Sequence, residues 1–261
     1  MSRIDDTFAR LRASGTTGLV AYVTAGDPDL ARSAEVIRAV DRGGADIIEL
    51  GVPFSDPLAD GPVIQRATER ALAAGTTLTK VLELAAGLRA EVRAPLVLFT
   101  YANPMMRMGV ASFARRARQA GIDGVLVLDL PPEEARQARD TFADEGLDTI
   151  FLLSPTTTVA RIRRAAELGS GFLYGISRLG VTGARADVAD SAAELAARVR
   201  AETTRPLALG FGFSRPEHVR AIGAVADAAV VGSALVQVVA DHAGGPDLGG
   251  EVERYVRWLR S

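Results

Sequence analysis

Cysteine is absent from the 261 residues, which excludes disulfides, thiol catalysis and thiolate metal sites together and gives no reason to expect an oxidising compartment. The only histidines are His218 and His242, too few for a histidine-built centre, so no metal is expected. A single lysine, Lys80, stands among 30 basic residues. A Schiff base to pyridoxal phosphate would have to use it, and its Thr-Leu-Thr-Lys setting at a helix start reads as solvated. No stretch approaches the roughly 18 uninterrupted apolar residues of a membrane span, and Ser2-Arg3-Ile4-Asp5-Asp6 has no apolar signal core. No membrane association and a cytoplasmic setting are therefore expected. A net charge of −2 and a pI near 5.8 leave no global field for a polyanion, so nucleic acid is not an expected partner.

The chain is 48% hydrophobic and 24% charged, the balance of a globular protein with an ordinary core. Eight short runs rich in Val, Ile and Leu recur along it, at 18–24, 45–50, 95–101, 123–128, 148–153, 171–177, 206–211 and 227–231. Each is continuous enough to be a strand buried on both faces of a parallel sheet. Between them, 35–42, 113–120, 133–145, 159–168, 191–202 and 216–222 carry apolar positions at helical spacing, with Thr158, Ser191 and Ser214 as N-caps. Eight βα units over about 250 residues predict a (β/α)8 barrel, because parallel strands need crossovers and eight of them close the sheet. A doubly wound open sheet is the alternative, but Thr24-Ala25-Gly26-Asp27-Pro28 stands where its Gly-x-Gly-x-x-Gly turn would be. No linker divides the chain, so 1–261 reads as one barrel domain with an extra N-terminal helix at 4–14. The Gly-rich tract 243–250 reads as a surface loop before a last helix at 251–260.

In such barrels the chemistry sits at the C-terminal ends of the strands. The second run ends Ile47-Ile48-Glu49-Leu50-Gly51, and alternation sets Glu49 opposite Ile48 and Leu50, toward the barrel mouth. Desolvation there would raise its pKa and suit it to proton transfer near neutrality; a structural Glu paired with an Arg is the alternative. The Pro-stiffened loop 52–62 brings Asp60, either as a second functional carboxylate or as a cap for the next helix. The seventh and eighth runs end in Gly210-Phe211-Gly212 and Val231-Gly232-Ser233, small residues before a helix start that could cradle a phosphate or simply relieve tight turns. After the sixth run, 178–187 with Gly180 and Gly183 suits a lid that is mobile without ligand, and Gly183 could lend the phosphate an amide. Met105, Met106 and Met108 read as a loop that either contacts a partner or fills core, Tyr255 and Trp258 as core packing, and His218 as helix surface.

The segments Thr24-Ala25-Gly26-Asp27-Pro28, Glu49-Leu50-Gly51-Val52-Pro53-Phe54-Ser55-Asp56-Pro57-Leu58-Ala59-Asp60-Gly61-Pro62, Tyr101-Ala102-Asn103-Pro104, Asp129-Leu130-Pro131-Pro132-Glu133-Glu134, Pro155-Thr156-Thr157-Thr158, Gly180-Val181-Thr182-Gly183, Gly210-Phe211-Gly212 and Val231-Gly232-Ser233 together resemble the tryptophan synthase alpha subunit family, nearly end to end. The second segment is the most specific. The resemblance implies a lyase that cleaves indole-3-glycerol phosphate to indole and glyceraldehyde 3-phosphate. It implies that Glu49 handles protons at indole C3 and at the glycerol hydroxyl, while Asp60 accepts from the indole N–H. It further gives Thr182 a role in placing Asp60 and Tyr174 a place near the substrate. By the same likeness Tyr22, Phe99, Leu126, Leu128 and Leu152 would wall the indole, and Gly183, Phe211, Gly212, Gly232 and Ser233 would hold the phosphate. The chain departs from the family's pattern at Tyr22, where many relatives carry Phe, and at Leu128 and Ser154. An αββα complex with a beta subunit is implied, docked on 52–60 and 102–108, with pyridoxal phosphate in that partner and no cofactor here. A stand-alone lyase releasing free indole is the alternative. A silent allosteric barrel would not need both carboxylates, and a phosphosugar isomerase would not need the long loop carrying Asp60.

Overall fold

The computed structural model describes residues 1–176, 185–210 and 212–261. Eight strands, β1 (Gly18–Thr24), β2 (Ile47–Gly51), β3 (Leu96–Thr100), β4 (Gly124–Val127), β5 (Asp148–Leu153), β6 (Leu173–Ile176), β7 (Leu207–Gly210) and β8 (Ala228–Val231), pair in parallel in sequence order. β8 returns to β1, so the barrel closes. The expected (β/α)8 architecture is what forms, and the doubly wound alternative is excluded by that closure.

Each strand is buried on both faces, as its unbroken apolar run requires. Leu19, Ala21, Val23, Ile48, Leu50, Leu96 and Leu98 point outward into the layer shared with the helices. Val20, Ile47, Val97, Leu126, Ile150, Ala208, Ala228 and Val230 point inward and fill the barrel. Twelve helices are present among the described residues. The first, α1 (Arg3–Ser14), begins in a capping box between Ser2 and Asp5 and ends at left-handed Gly15. Its Ile4, Phe8 and Leu11 join the inward cluster, with Phe8 tilted against Phe172 at 5.6 Å, so α1 closes the N-terminal end of the barrel.

That end is also tied by acids. Asp46, Asp123 and Asp227 each stand just before a strand and accept the N–H of Leu19, Leu96 and Leu207 in the strand preceding it, at 2.9, 2.9 and 2.7 Å. Arginines clamp the same carboxylates: Arg10 and Arg260 on Asp46, Arg3 and Arg89 on Asp123, Arg12 and Arg200 on Asp227.

The remaining helices are α2 (Leu30–Gly43), α3 (Pro62–Ala73), α4 (Leu78–Leu88), α5 (Ala102–Met108), α6 (Val110–Gln119), α7 (Arg136–Asp144), α8 (Val159–Leu168), α9 (Arg185–Arg200), α10 (Pro216–Ile222), α11 (Ser233–His242) and α12 (Leu248–Leu259). None is long and apolar enough, among the described residues, to cross a membrane. Thr158 caps α8 as expected, its side chain accepting the Arg161 N–H. Ser191 does not cap; it lies inside α9, which starts earlier. Nor does Ser214: Arg215 holds the N-cap position of α10, and the Ser214 N–H donates to His218 Nδ1 at 3.2 Å. His218 is thus a half-buried acceptor rather than a bare surface residue. The methionine segment is a helix, α5, because a proline in the first turn gives up an N–H that has no partner there anyway. Met105 is fully buried and Met106 is 58% exposed. Trp258 is not core: it is 46% exposed and leans on Tyr255, since α12 buries Leu248, Val252, Val256 and Leu259 instead. The tract at 243–250 loops only as far as Asp247, and Gly249 and Gly250 belong to α12.

Candidate active site

At the C-terminal end of the barrel, β2 delivers Glu49 beside Tyr22 of β1 and Val97 of β3, its Cα partners in the sheet. The Glu49 side chain is completely buried, and among the described residues neither Oε1 nor Oε2 has a hydrogen-bond partner. No arginine among the described residues reaches it, so the structural ion-pair alternative finds no partner there. Burial alone pushes its pKa from 4.5 up to about 8. A carboxyl in this state is protonated at neutral pH and can donate.

Asp60 arrives on the 52–61 segment, which the Leu58 N–H to Asp56 and Asp60 N–H to Pro57 backbone bonds fold tightly. Gln65 of α3 steadies it by donating to the Asp60 carbonyl at 2.9 Å. The Asp60 carboxylate caps nothing: Gly61 is the N-cap of α3, without a side-chain bond, and Pro62 opens the helix. Instead its Oδ2 accepts from the Tyr101 hydroxyl at 3.2 Å. Burial raises the Asp60 pKa to about 6, and the Tyr101 hydrogen bond holds it from rising further. Both acids act on one group between them: the negative charge of Asp60 and of Glu49 adds to burial in raising the Tyr22 phenol. Glu49 does the same to Tyr174.

Of the expected ring walls, Tyr22, Phe99 and Tyr174 stand together, and the charge of Glu49 acts on both tyrosines. Phe99 meets Tyr22 edge-on at 5.1 Å and faces Tyr174 at 6.5 Å. Tyr22 is backed by Val63, Ile64 and Ala67 of α3 and Val236 of α11. Leu126 lies inside the barrel, with Leu128 and Leu152 at its rim, where a cavity of about 430 Å³ opens between Leu128, Leu152, Ile176 and Ala59. Apolar walls with a few polar groups suit a flat aromatic ligand. Gly51, with no expected role, and Gly210, expected only in a phosphate turn, make room for the tyrosines. A Cβ at Gly51 would lie 2.1 Å from the Tyr22 hydroxyl, and one at Gly210 would lie 2.9 Å from that of Tyr174. Tyr101 opens one of the segments that carry the resemblance, but the sequence gives it no role.

Gly232 and Ser233 start α11, whose first turn carries no side-chain cap. Its N–H groups and positive dipole end are left for an anion. Gly232 adjoins the ring walls: a Cβ there would stand 3.5 Å from the Tyr22 Cβ. Gly212 has φ of +73°, which favours glycine, and no atom within 4 Å of a built Cβ. Thr182, Gly183 and Phe211 lie outside the described residues, as does most of the expected lid at 178–187. Lys80 is exposed, away from the pocket, with its Nζ on the Gly75 carbonyl at 2.8 Å.

A sequence profile described as tryptophan synthase alpha chain matches residues 8–254. The tryptophan synthase alpha chain of Geotalea uraniireducens is 51% identical over 244 residues, covering 94% of this chain and 91% of that one. That of Solibacter usitatus is 48% identical over 260 residues, covering 100% and 97%. Among solved structures, tryptophan synthase subunit alpha from Legionella pneumophila matches with a TM-score of 0.92 at 34% identity, over 100% of this chain and 97% of that one. The aminoacrylate-bound form of tryptophan synthase from M. tuberculosis matches with a TM-score of 0.90 at 34% identity, over 100% and 98%.

Proposed function

The chain belongs to the tryptophan synthase alpha chain family, and from that premise we propose how its two buried acids serve a carbon–carbon lyase of tryptophan biosynthesis. The reaction is the retro-aldol cleavage of indole-3-glycerol phosphate to indole and glyceraldehyde 3-phosphate. Glu49, protonated at rest, gives its proton to indole C3, which turns the ring into an electron sink. The resulting carboxylate takes the proton of the adjacent glycerol hydroxyl. As that C–O becomes the aldehyde, the carbon–carbon bond breaks and its electron pair returns to the ring. Asp60, ionised, accepts from the indole N–H and opposes the positive charge that develops there. One proton leaves Glu49 and one returns.

The observation that supports this assignment is the fully buried Glu49 carboxyl, with no partner on either oxygen among the described residues, beside a Tyr22 phenol on which the charges of Glu49 and Asp60 both act. The N-terminus of α11 supports a phosphate grip by Gly232 and Ser233, with Gly212, Phe211 and Gly183 completing it and Thr182 steadying Asp60. Tyr22, Phe99, Leu126, Leu128, Leu152 and Tyr174 would enclose the indole.

A beta subunit is the proposed partner, in an αββα complex to which indole passes. In support, Leu58 and Met106, 91% and 58% exposed, sit on the two segments expected to dock. Pyridoxal phosphate would belong to that partner; the single lysine here is remote from the pocket. Residues 1–261 would act as one barrel domain, in the cytoplasm where amino-acid biosynthesis runs.

The test is to incubate the purified chain with indole-3-glycerol phosphate, with and without a beta subunit, and follow indole release. Slow release that the partner accelerates supports the reading. Full turnover without the partner would favour a stand-alone lyase, and no indole under either condition would refute the activity.

A further inference from the structure

Among the described residues, Asp60 lies in a region of one sign. The titratable groups that bear on it are Tyr22 from β1 and Tyr101 at the end of β3. Glu49 from β2 shares Tyr22 as a neighbour, and Asp129 after β4 acts on Tyr101. From α3 comes only the neutral Gln65. The cation that lines the mouth beside Ala59 and Asp129 is Arg161, and it is paired with Glu133 at 2.7 Å. Among the described residues the Tyr101 hydroxyl is therefore the one donor on the Asp60 carboxylate. A carboxylate half out of water with a single hydrogen bond owes both its aim and its charge to that bond.

The donor is itself held from three sides. Tyr101 is 5% exposed, and its ring lies 5.1 Å from that of Phe54, at the start of the loop that carries Asp60. Its hydroxyl oxygen accepts the Ala59 N–H at 3.0 Å, so one phenol binds two consecutive residues of the loop. It stands at the N-cap position of α5, where the next N–H, of Ala102, donates to Asp129 at 2.6 Å. Taking Oδ2 leaves Oδ1 open for a ring N–H.

We propose that Tyr101 is a positioning residue for the reaction: its hydroxyl fixes the Asp60 carboxylate toward the indole nitrogen, keeps it ionised, and joins the loop at 52–60 to the start of α5. This rests on the reading of Asp60 as the indole N–H acceptor.

The test compares the pH dependence of kcat and KM for indole release between the wild-type chain and Tyr101→Phe, with melting temperatures read on the same samples. Tyr101→Phe keeps the ring on Phe54 and removes only the hydroxyl. It is expected to lower kcat by about tenfold or more, with KM within about threefold and Tm within about two degrees. The acidic limb of the kcat profile is expected at higher pH, because Asp60 loses the bond that favours its charged form. Either a kcat within about twofold of wild type or a fall in kcat with an unmoved acidic limb overturns the proposal, the second being what mere packing would give. Phe54→Leu loosens the ring without touching the hydroxyl and should move the limb the same way by less. If Tyr101→Phe does not fold, this variant decides, and an unmoved limb again overturns the proposal. Asp60→Asn separates the layers. If it turns over normally, the reading of Asp60 fails and takes the role of Tyr101 with it; if it is inactive while Tyr101→Phe is normal, only the positioning role fails.

Discussion

The two ends of the barrel treat buried carboxylates in opposite ways. At the N-terminal end Asp46, Asp123 and Asp227 each accept a strand N–H and each meet two arginines. At the C-terminal end, among the described residues, Glu49 has no partner and Asp60 has one phenol. Asp148 shows that company rather than place makes the difference. It lies at the N-terminal end, makes no ion pair among the described residues, leaves Oδ2 unbonded, and burial raises its pKa as it does at the other end. The larger hollow, about 570 Å³, is also at that end, where Arg3, Asp5, Asp123 and Asp148 line it. Neither cavity size nor burial picks out the reacting groups. A withheld cation lets burial raise a carboxyl at either end, and at the C-terminal end alone does this coincide with a pair of acids, Glu49 and Asp60, that act on one phenol at the strand ends where barrel chemistry sits.

If the contrast is real, removing the chemistry and removing the clamps must have separable effects. Glu49→Gln should cut kcat for indole release by about a thousandfold with the fold intact by circular dichroism. Asp60→Asn should cost about a hundredfold, since a neutral amide still fills the space but no longer opposes the charge on the ring. The wild-type rate should be bell-shaped in pH. It should fall below about 6 as Asp60 protonates and above about 8 as Glu49 loses its proton. A flat profile across that window would break the comparison at its C-terminal end.

At the other end, Asp46→Asn should leave kcat within about twofold but lower the unfolding free energy by about 2–3 kcal/mol in urea titrations, because Arg10 and Arg260 are partly solvated. The smallest effect sharpens the contrast most. The folded-state pKa of Glu49 lies above its ordinary 4.5, so its contribution to stability is complete below that value and is lost as pH rises through about 8. Glu49→Gln should accordingly raise Tm by a few degrees at pH 8.5 and by less at pH 5. A variant that melts lower at both would show that the buried acid is not under strain.

Much of this was legible because it is written in short-range pattern. The runs at 18–24 and 148–153 match β1 and β5 end to end, and two-residue alternation alone turns Glu49 inward. Most other runs reach a residue or two past the strand, as 95–101 does around β3, while 45–50 starts two residues early and stops one short of Gly51. The α5 segment reads as a loop because Asn103-Pro104 looks like a breaker, yet in a first turn proline obstructs nothing. The Tyr101–Asp60 bond is not legible at all. Its partners are 41 residues apart and meet only because β2 and β3 lie side by side. The same holds for Gly51, whose missing side chain makes sense only once the Tyr22 ring lies over it.

Because α1 stoppers the far end with Ile4, Phe8 and Leu11, the barrel is a cul-de-sac. Among the described residues the interior therefore opens toward the rim of the strands, so whatever sits across that rim bears on supply and release together.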